Sequence, residues 1–153
     1  MRWLLAVSLL FVVVACLIPT DCGSRARSDR VRCMASVSVI ARALQVYGTP
    51  ADFDAPNPIG EVLAKANFDR RIQQCNGGDR PYQLNLPVLR TPLSQLADPT
   101  RMVILYEDPA NHDGKGGAVA FADGHAEFVY AADLPRVLKE GGVPEHIDIG
   151  NTQ

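Results

Sequence analysis

Two apolar-rich runs, 118–122 and 126–130, flank Asp123-Gly124-His125. Asp-Gly between two such runs predicts a β-hairpin with a two-residue type I′ turn. Both central residues of that turn need positive φ, which Asp tolerates and Gly adopts freely. Pairing Ala122 with His125 puts Val119, Phe121, Ala126 and Phe128 on one face, and Ala118, Ala120, His125 and Glu127 on the other. The reading is a half-buried hairpin with His125 on its outer side.

Earlier in the chain the period is that of a helix. Cys33, Val37, Ile40, Leu44 and Tyr47 recur at steps of four, three, four and three, one stripe of an amphipathic helix. Ser28 or Asp29 is placed to cap it, and Gly48 and Pro50 stop it. Residues 49–58 read as loop. Residues 58–67 read as a short helix opened by Pro58, with Val62, Leu63 and Ala66 inward. A polar stretch, 69–79, ends in a turn at 76–79. Tyr82, Leu84 and Leu86 alternate with Gln83 and Asn85 as a strand, 87–99 is loop, and 102–106 is an apolar run of strand length. Asp133 caps a last helix over 134–140, with Pro135 in its first turn and Gly141 at its end. Residues 142–153 hold too few apolar residues to pack independently. Helix first and about four antiparallel strands afterwards predict an α+β fold, the helix lying on a small sheet.

The front of the chain changes the picture. Residues 3–18 are almost unbroken apolar sequence behind Arg2, which predicts a membrane-anchoring or targeting segment over 1–20, a globular domain over 21–141 and a tail over 142–153. The anchor is expected to be retained. The alternatives are lipidation of Cys16, behind a loose Val-Val-Ala lipobox, and removal as a signal peptide. All three carry the rest of the chain out of the cytoplasm. Arg25, Arg27, Arg30 and Arg32 follow the run and, by the positive-inside count, point the other way. A net charge of −2 and a pI near 5.9 argue against a nucleic-acid partner. No two of Cys16, Cys22, Cys33 and Cys75 have C-x-x-C spacing. In an exported domain Cys33 and Cys75 either form a disulfide or stand as two separate thiols, and sequence alone does not choose.

Candidate chemistry concentrates at His112, in a turn with Asp108, Asn111 and Asp113. An EF-hand fails, because Gly114 at the sixth position puts Pro109 at the first. His112 with His125 and Glu127 is a conceivable transition-metal set, and His112 and Asp113 are the weak metal candidates. The preferred reading is that His112 and Asp123 hydrogen-bond backbone groups to shape the loop, with no metal and no cofactor. No nucleophile elbow, H-E-x-x-H or phosphate-binding loop is present, so no enzyme is expected.

In order, these pieces resemble one bacterial family. They are the Ala- and Arg-bearing start of the helix, Cys33 … Ile40 … Leu44 … Tyr47, Cys75 before Tyr82-Gln83-Leu84-Asn85, Asp98-Pro99 … Leu105-Tyr106-Glu107, and His112 … Gly116-Gly117 … Asp123-Gly124-His125. The chain is similar to the prepilin-type processing-associated H-X9-DG domain family over most of residues 25–130. It departs from the family in having ten residues between His112 and Asp123, and in lacking the Gly-Phe-Thr-Leu-x-Glu signature read by prepilin peptidase. The resemblance marks His112, Gly116, Gly117, Asp123 and Gly124 as its motif. It implies a pilin-like fold, the anchor continuing into the amphipathic helix. It further implies a single-pass protein of the bacterial inner membrane with its bulk outside the cytoplasm. The implied role is structural or in assembly, with the cytoplasmic membrane and other pilin-like subunits as partners. The alternative is a tethered module that captures a cation or small ligand at the loop around His112.

Overall fold

A computed structural model of the protein describes residues 22–144 apart from Asn76, without the side chains of residues 22–26 and Arg70. The first helix, α1, runs Cys22–Tyr47. Ser28 and Asp29 therefore lie inside it and do not cap it. Cys33, Val37, Ile40 and Leu44 are all buried, and Ala41 and Ala43 widen the stripe. Tyr47 leaves the stripe at 47% exposure. The chain turns away there at Gly48, whose N–H bonds Leu44 O, and the buried Phe53 ring lies beside that glycine.

Four strands follow, β1 (Gln83–Leu84), β2 (Val103–Tyr106), β3 (Gly116–Phe121) and β4 (Ala126–Tyr130), antiparallel in the order β1-β2-β3-β4. The fold is thus α+β. The short helices are α2 (Pro50–Phe53) and α3 (Pro58–Lys65) between α1 and β1, α4 (Leu86–Leu89) between β1 and β2, and α5 (Leu134–Glu140) after β4. Two of them replace expected loops. At α2, Asp52 Oδ2 accepts from both Thr49 N and Thr49 Oγ1, at 2.8 and 2.7 Å, and closes a first turn. At α4, Pro87 sits in the first turn, where its missing N–H costs little. β1 is accordingly only two residues long. Asn85, expected on that strand, is buried and donates through Nδ2 to Val103 O at 2.8 Å. Asn57 Oδ1 caps α3 through Gly60 N, burying Val62 and Leu63 but not Ala66 fully. Asp133 stands before α5 without a side-chain cap, its Oδ1 accepting from Arg136.

The hairpin forms one residue out of the expected register. Ala120 pairs with Ala126, and Phe121 N bonds His125 O at 3.0 Å, so Ala122, Asp123 and Gly124 make a three-residue turn. Gly124 has φ +90°, and no positive φ occurs at Asp123, whose Oδ1 instead accepts from His125 N. A type I′ turn needs two left-handed residues; here one suffices, the pattern of a type I turn with a following bulge. A one-residue slip exchanges the faces of one strand relative to the other. Ala126 and Phe128 therefore join Ala118 and Ala120, while His125 and Glu127 join Val119 and Phe121.

Neither face of the sheet is simply solvated. Ala118, Ala120, Ala122, Ile104 and Leu105 pack with α1 and α3. Val103, Tyr106, Val119, Phe121 and Val129 pack with Leu134 and Leu138 of α5 and with Val143. A bulge between Val103 and Leu105 lets β2 send Ile104 and Leu105 to the same side. Val143 is buried, so the tail packs at least at its start.

No helix among the described residues is long and apolar enough to cross a membrane. This corrects the expected transmembrane helix among the described residues: α1 is long enough, but Arg25, Arg27, Arg30 and Arg32 in its first half leave it too polar. The anchor expectation for residues 1–20 and the lipidation of Cys16 lie outside the described residues.

Candidate functional site

The site grows from the end of β2. Glu107 follows Tyr106 and is fully buried. Asp108 Oδ1 accepts from Ala110 N at 2.8 Å and opens a single 3₁₀ turn over Pro109–His112. That turn folds His112 back onto the residue that precedes it. His112 Nε2 lies 2.9 Å from Glu107 Oε2. The same oxygen accepts from Ala118 N at 3.2 Å, and Oε1 accepts from Asn111 Nδ2 at 3.3 Å. Asn111 in turn clamps Arg80, donating to its carbonyl and accepting from its N–H at 3.0 and 2.9 Å. Burying a carboxyl group without partners is costly, and here both oxygens are engaged.

The sulfurs complete the cluster. The structure joins Cys33 of α1 to Cys75 by a disulfide with Cα atoms 5.4 Å apart, one of the two alternatives the sequence leaves open. Cys75 Sγ lies 3.6 Å from His112 Nε2 and accepts from Gly77 N at 3.2 Å. The ligand atoms of Cys33, Cys75, Glu107 and His112 all fall within 4.8 Å of one another, and all four residues are buried. Phe128 closes one side, meeting the His112 ring edge-on at 5.2 Å, and Arg30 lies 4.8 Å over the Phe128 ring. Gly117 is required by closeness: a Cβ there would stand 2.6 Å from Glu107 O.

The other expected site residues lie apart from this cluster. Asp113 is exposed, left-handed at φ 55°, and paired with Lys115 at 3.4 Å. Gly116 begins β3 opposite Tyr130. Asp123 and Gly124 sit at the hairpin tip. His125 pairs there with Asp123 and stacks on Phe121 at 4.3 Å, on the α5 face. His112 packs on Phe128, which faces α1, so the set of His112, His125 and Glu127 does not assemble; Glu107 and the two sulfurs surround His112 instead. Sequence reading placed Asn111 in the turn around His112 but missed Glu107 as a site residue. The available signal was an acidic residue placed directly at the end of a fully apolar run.

The ionisable groups respond to these surroundings. Burial, and then the nearby Glu107 carboxylate, push the Tyr82 phenol above its ordinary range. Burial, and then Asp108, push Tyr106 up to about 12. Burial works to raise Asp123, but hydrogen bonds from the backbone and ring of His125 leave it lowered. Hydrogen bonds from Lys65, then Thr49, hold Asp52 at about 2.

No family model, no curated protein and no solved structure matches the chain. The prepilin and pseudopilin terms brought in by the resemblance thus find no support, and the fold stands as α+β without a pilin assignment.

Proposed function

We propose that the chain is a structural or assembly domain of the bacterial cell envelope, working outside the cytoplasm by packing and not by catalysis. The observation that carries this reading is the Cys33–Cys75 disulfide, which ties the first helix to the loop before β1. Disulfides persist in oxidising compartments and are rare in the cytosol. A second feature supports it. His112, centre of the loop that the alternative reading makes a capture site, is buried against Glu107 and Phe128 while the disulfide is formed.

The test is the state of the thiols in cells. The full chain carrying Cys16→Ser and Cys22→Ser is expressed in a bacterium, quenched with acid and treated with a mass-tagging maleimide. Cys33 and Cys75 are expected to resist tagging until a reductant is added, and the chain is expected to be digested by protease added to spheroplasts. Free thiols together with protection from protease overturn the reading.

A further inference from the structure

We propose that Cys33, Cys75, Glu107 and His112 form a zinc site that the disulfide and the metal occupy in alternation. The inference goes beyond the envelope role and rests on the geometry of the four side chains, not on that role.

The donor set is two sulfurs, one imidazole nitrogen and one carboxylate oxygen, a combination that suits a borderline-soft divalent ion and not calcium. With Zn–S near ~2.3 Å and Zn–N and Zn–O near ~2.0–2.2 Å, tetrahedral ligand atoms stand roughly 3.3–3.8 Å apart. Cys75 Sγ and His112 Nε2 already stand 3.6 Å apart. His112 Nε2 and Glu107 Oε2, at 2.9 Å, need to part by a few tenths of an ångström. The two sulfurs must part further, and breaking their bond frees that movement; every ligand atom already lies within 4.8 Å of the others.

The surroundings fit a thiolate site. Gly77 N–H donates to Cys75 Sγ, a bond that favours the charged sulfur. Asn111 donates to the second Glu107 oxygen and fixes the carboxylate, as outer partners of metal ligands do. Arg30 and Phe128 cover the His112 side.

A dithiol reductant attacks one protein sulfur, releases the other as thiolate and leaves as its own cyclic disulfide, having supplied two electrons and two protons. Zn²⁺ then binds both protein sulfurs and displaces their two protons, with Nε2 of neutral His112 and the Glu107 carboxylate as third and fourth ligands.

The full chain with Cys16→Ser and Cys22→Ser is reduced with a dithiol, freed of it under argon, and titrated with cobalt(II) or zinc(II) alone. One equivalent of cobalt is expected to give thiolate charge-transfer bands and the visible bands of a tetrahedral ion, which zinc then displaces. The oxidised chain is expected to give neither. Asn111→Ala is expected to weaken uptake by about 10- to 100-fold. A folded, reduced chain that takes no cobalt overturns the site, as does a tetrahedral signal that survives Cys75→Ser. Should reduction unfold the chain, return of its native circular dichroism on adding zinc supports the site, and failure to return overturns it. Free thiols in cells together with protection from protease, with metal uptake intact, would overturn the envelope role alone. A disulfide in cells with no uptake by the reduced chain would overturn the zinc site alone.

Discussion

The two faces of the sheet are closed by different means. Toward α1, β3 and the turn after it present Ala118, Ala120 and Ala122, side chains small enough for a long helix to lie close, beside the larger Ile104 and Leu105 of β2. That side also carries the disulfide and the buried Glu107, Asn111 and His112 network. Toward α5 the sheet presents Val103, Tyr106, Val119, Phe121 and Val129, covered by a helix of 7 residues, and among the described residues no buried polar cluster or disulfide stands with them. A short helix covers little area, so large side chains must supply the burial there. A long helix covers more, and small side chains let chemistry with strict geometry sit beneath it. The candidate site belongs to the second arrangement.

The largest effect expected is on the crosslinked side. Replacing both Cys33 and Cys75 by Ala removes a constraint spanning 42 residues. By loop-closure entropy that costs about 4 kcal/mol, read as a lower midpoint in urea unfolding. A cost near zero breaks the comparison, because the α1 face would then be held by packing alone. Next come two substitutions that exchange the characters of the faces. Leu134→Ala opens a cavity under α5 and is expected to cost about 2–5 kcal/mol. Ala120→Leu overfills the α1 face and is expected to cost about 1–3 kcal/mol. If Ala120→Leu proves neutral, the close approach of α1 does not depend on small residues, and the contrast drawn here is wrong in its cause.

Much of the α1 side is legible from residue spacing. The stripe of Cys33, Val37, Ile40 and Leu44 has the period of a helix, and burial follows it. The hairpin is legible as a hairpin but not in register. Asp123-Gly124 marks the reversal, yet Asp123 can also use its carboxylate to cap His125 N, which needs only Gly124 left-handed. That single choice moves Phe128 to the face where it covers His112. The helical turns at α2 and α4 are hidden because prolines read as breakers when they in fact occupy first turns. The site is the least legible part. Cys33, Cys75 and Glu107 lie far apart in the chain, and only the long-range packing of α1 on the sheet brings them to His112. A carboxylate after an apolar run carries no sign of burial until its partners are in place.

The smallest effect concerns the ion pair of Asp52 and Lys65, at 2.6 Å, which links α2 to α3 on the α1 side. Asp52 has a folded value of about 2 against an ordinary 3.8, held down first by the Lys65 hydrogen bond and then by Thr49. A carboxylate lowered in the folded state stabilises it fully above its unfolded value, and that contribution is lost as pH falls through 3.8 toward about 2. Melting temperature is therefore expected to fall between pH 4 and pH 2 more steeply for the native chain than for Asp52→Asn, by a small margin because Lys65 is half exposed. The pair sits beside the core that α1 shares with Phe53, Val62 and Leu63, so acid should loosen that core before the α5 core. Hydrogen exchange at Leu63 and at Leu138, followed down the same pH series, reads the order directly. Equal loosening of both would mean that the two faces unfold as one unit, and that their different construction governs the site without governing stability.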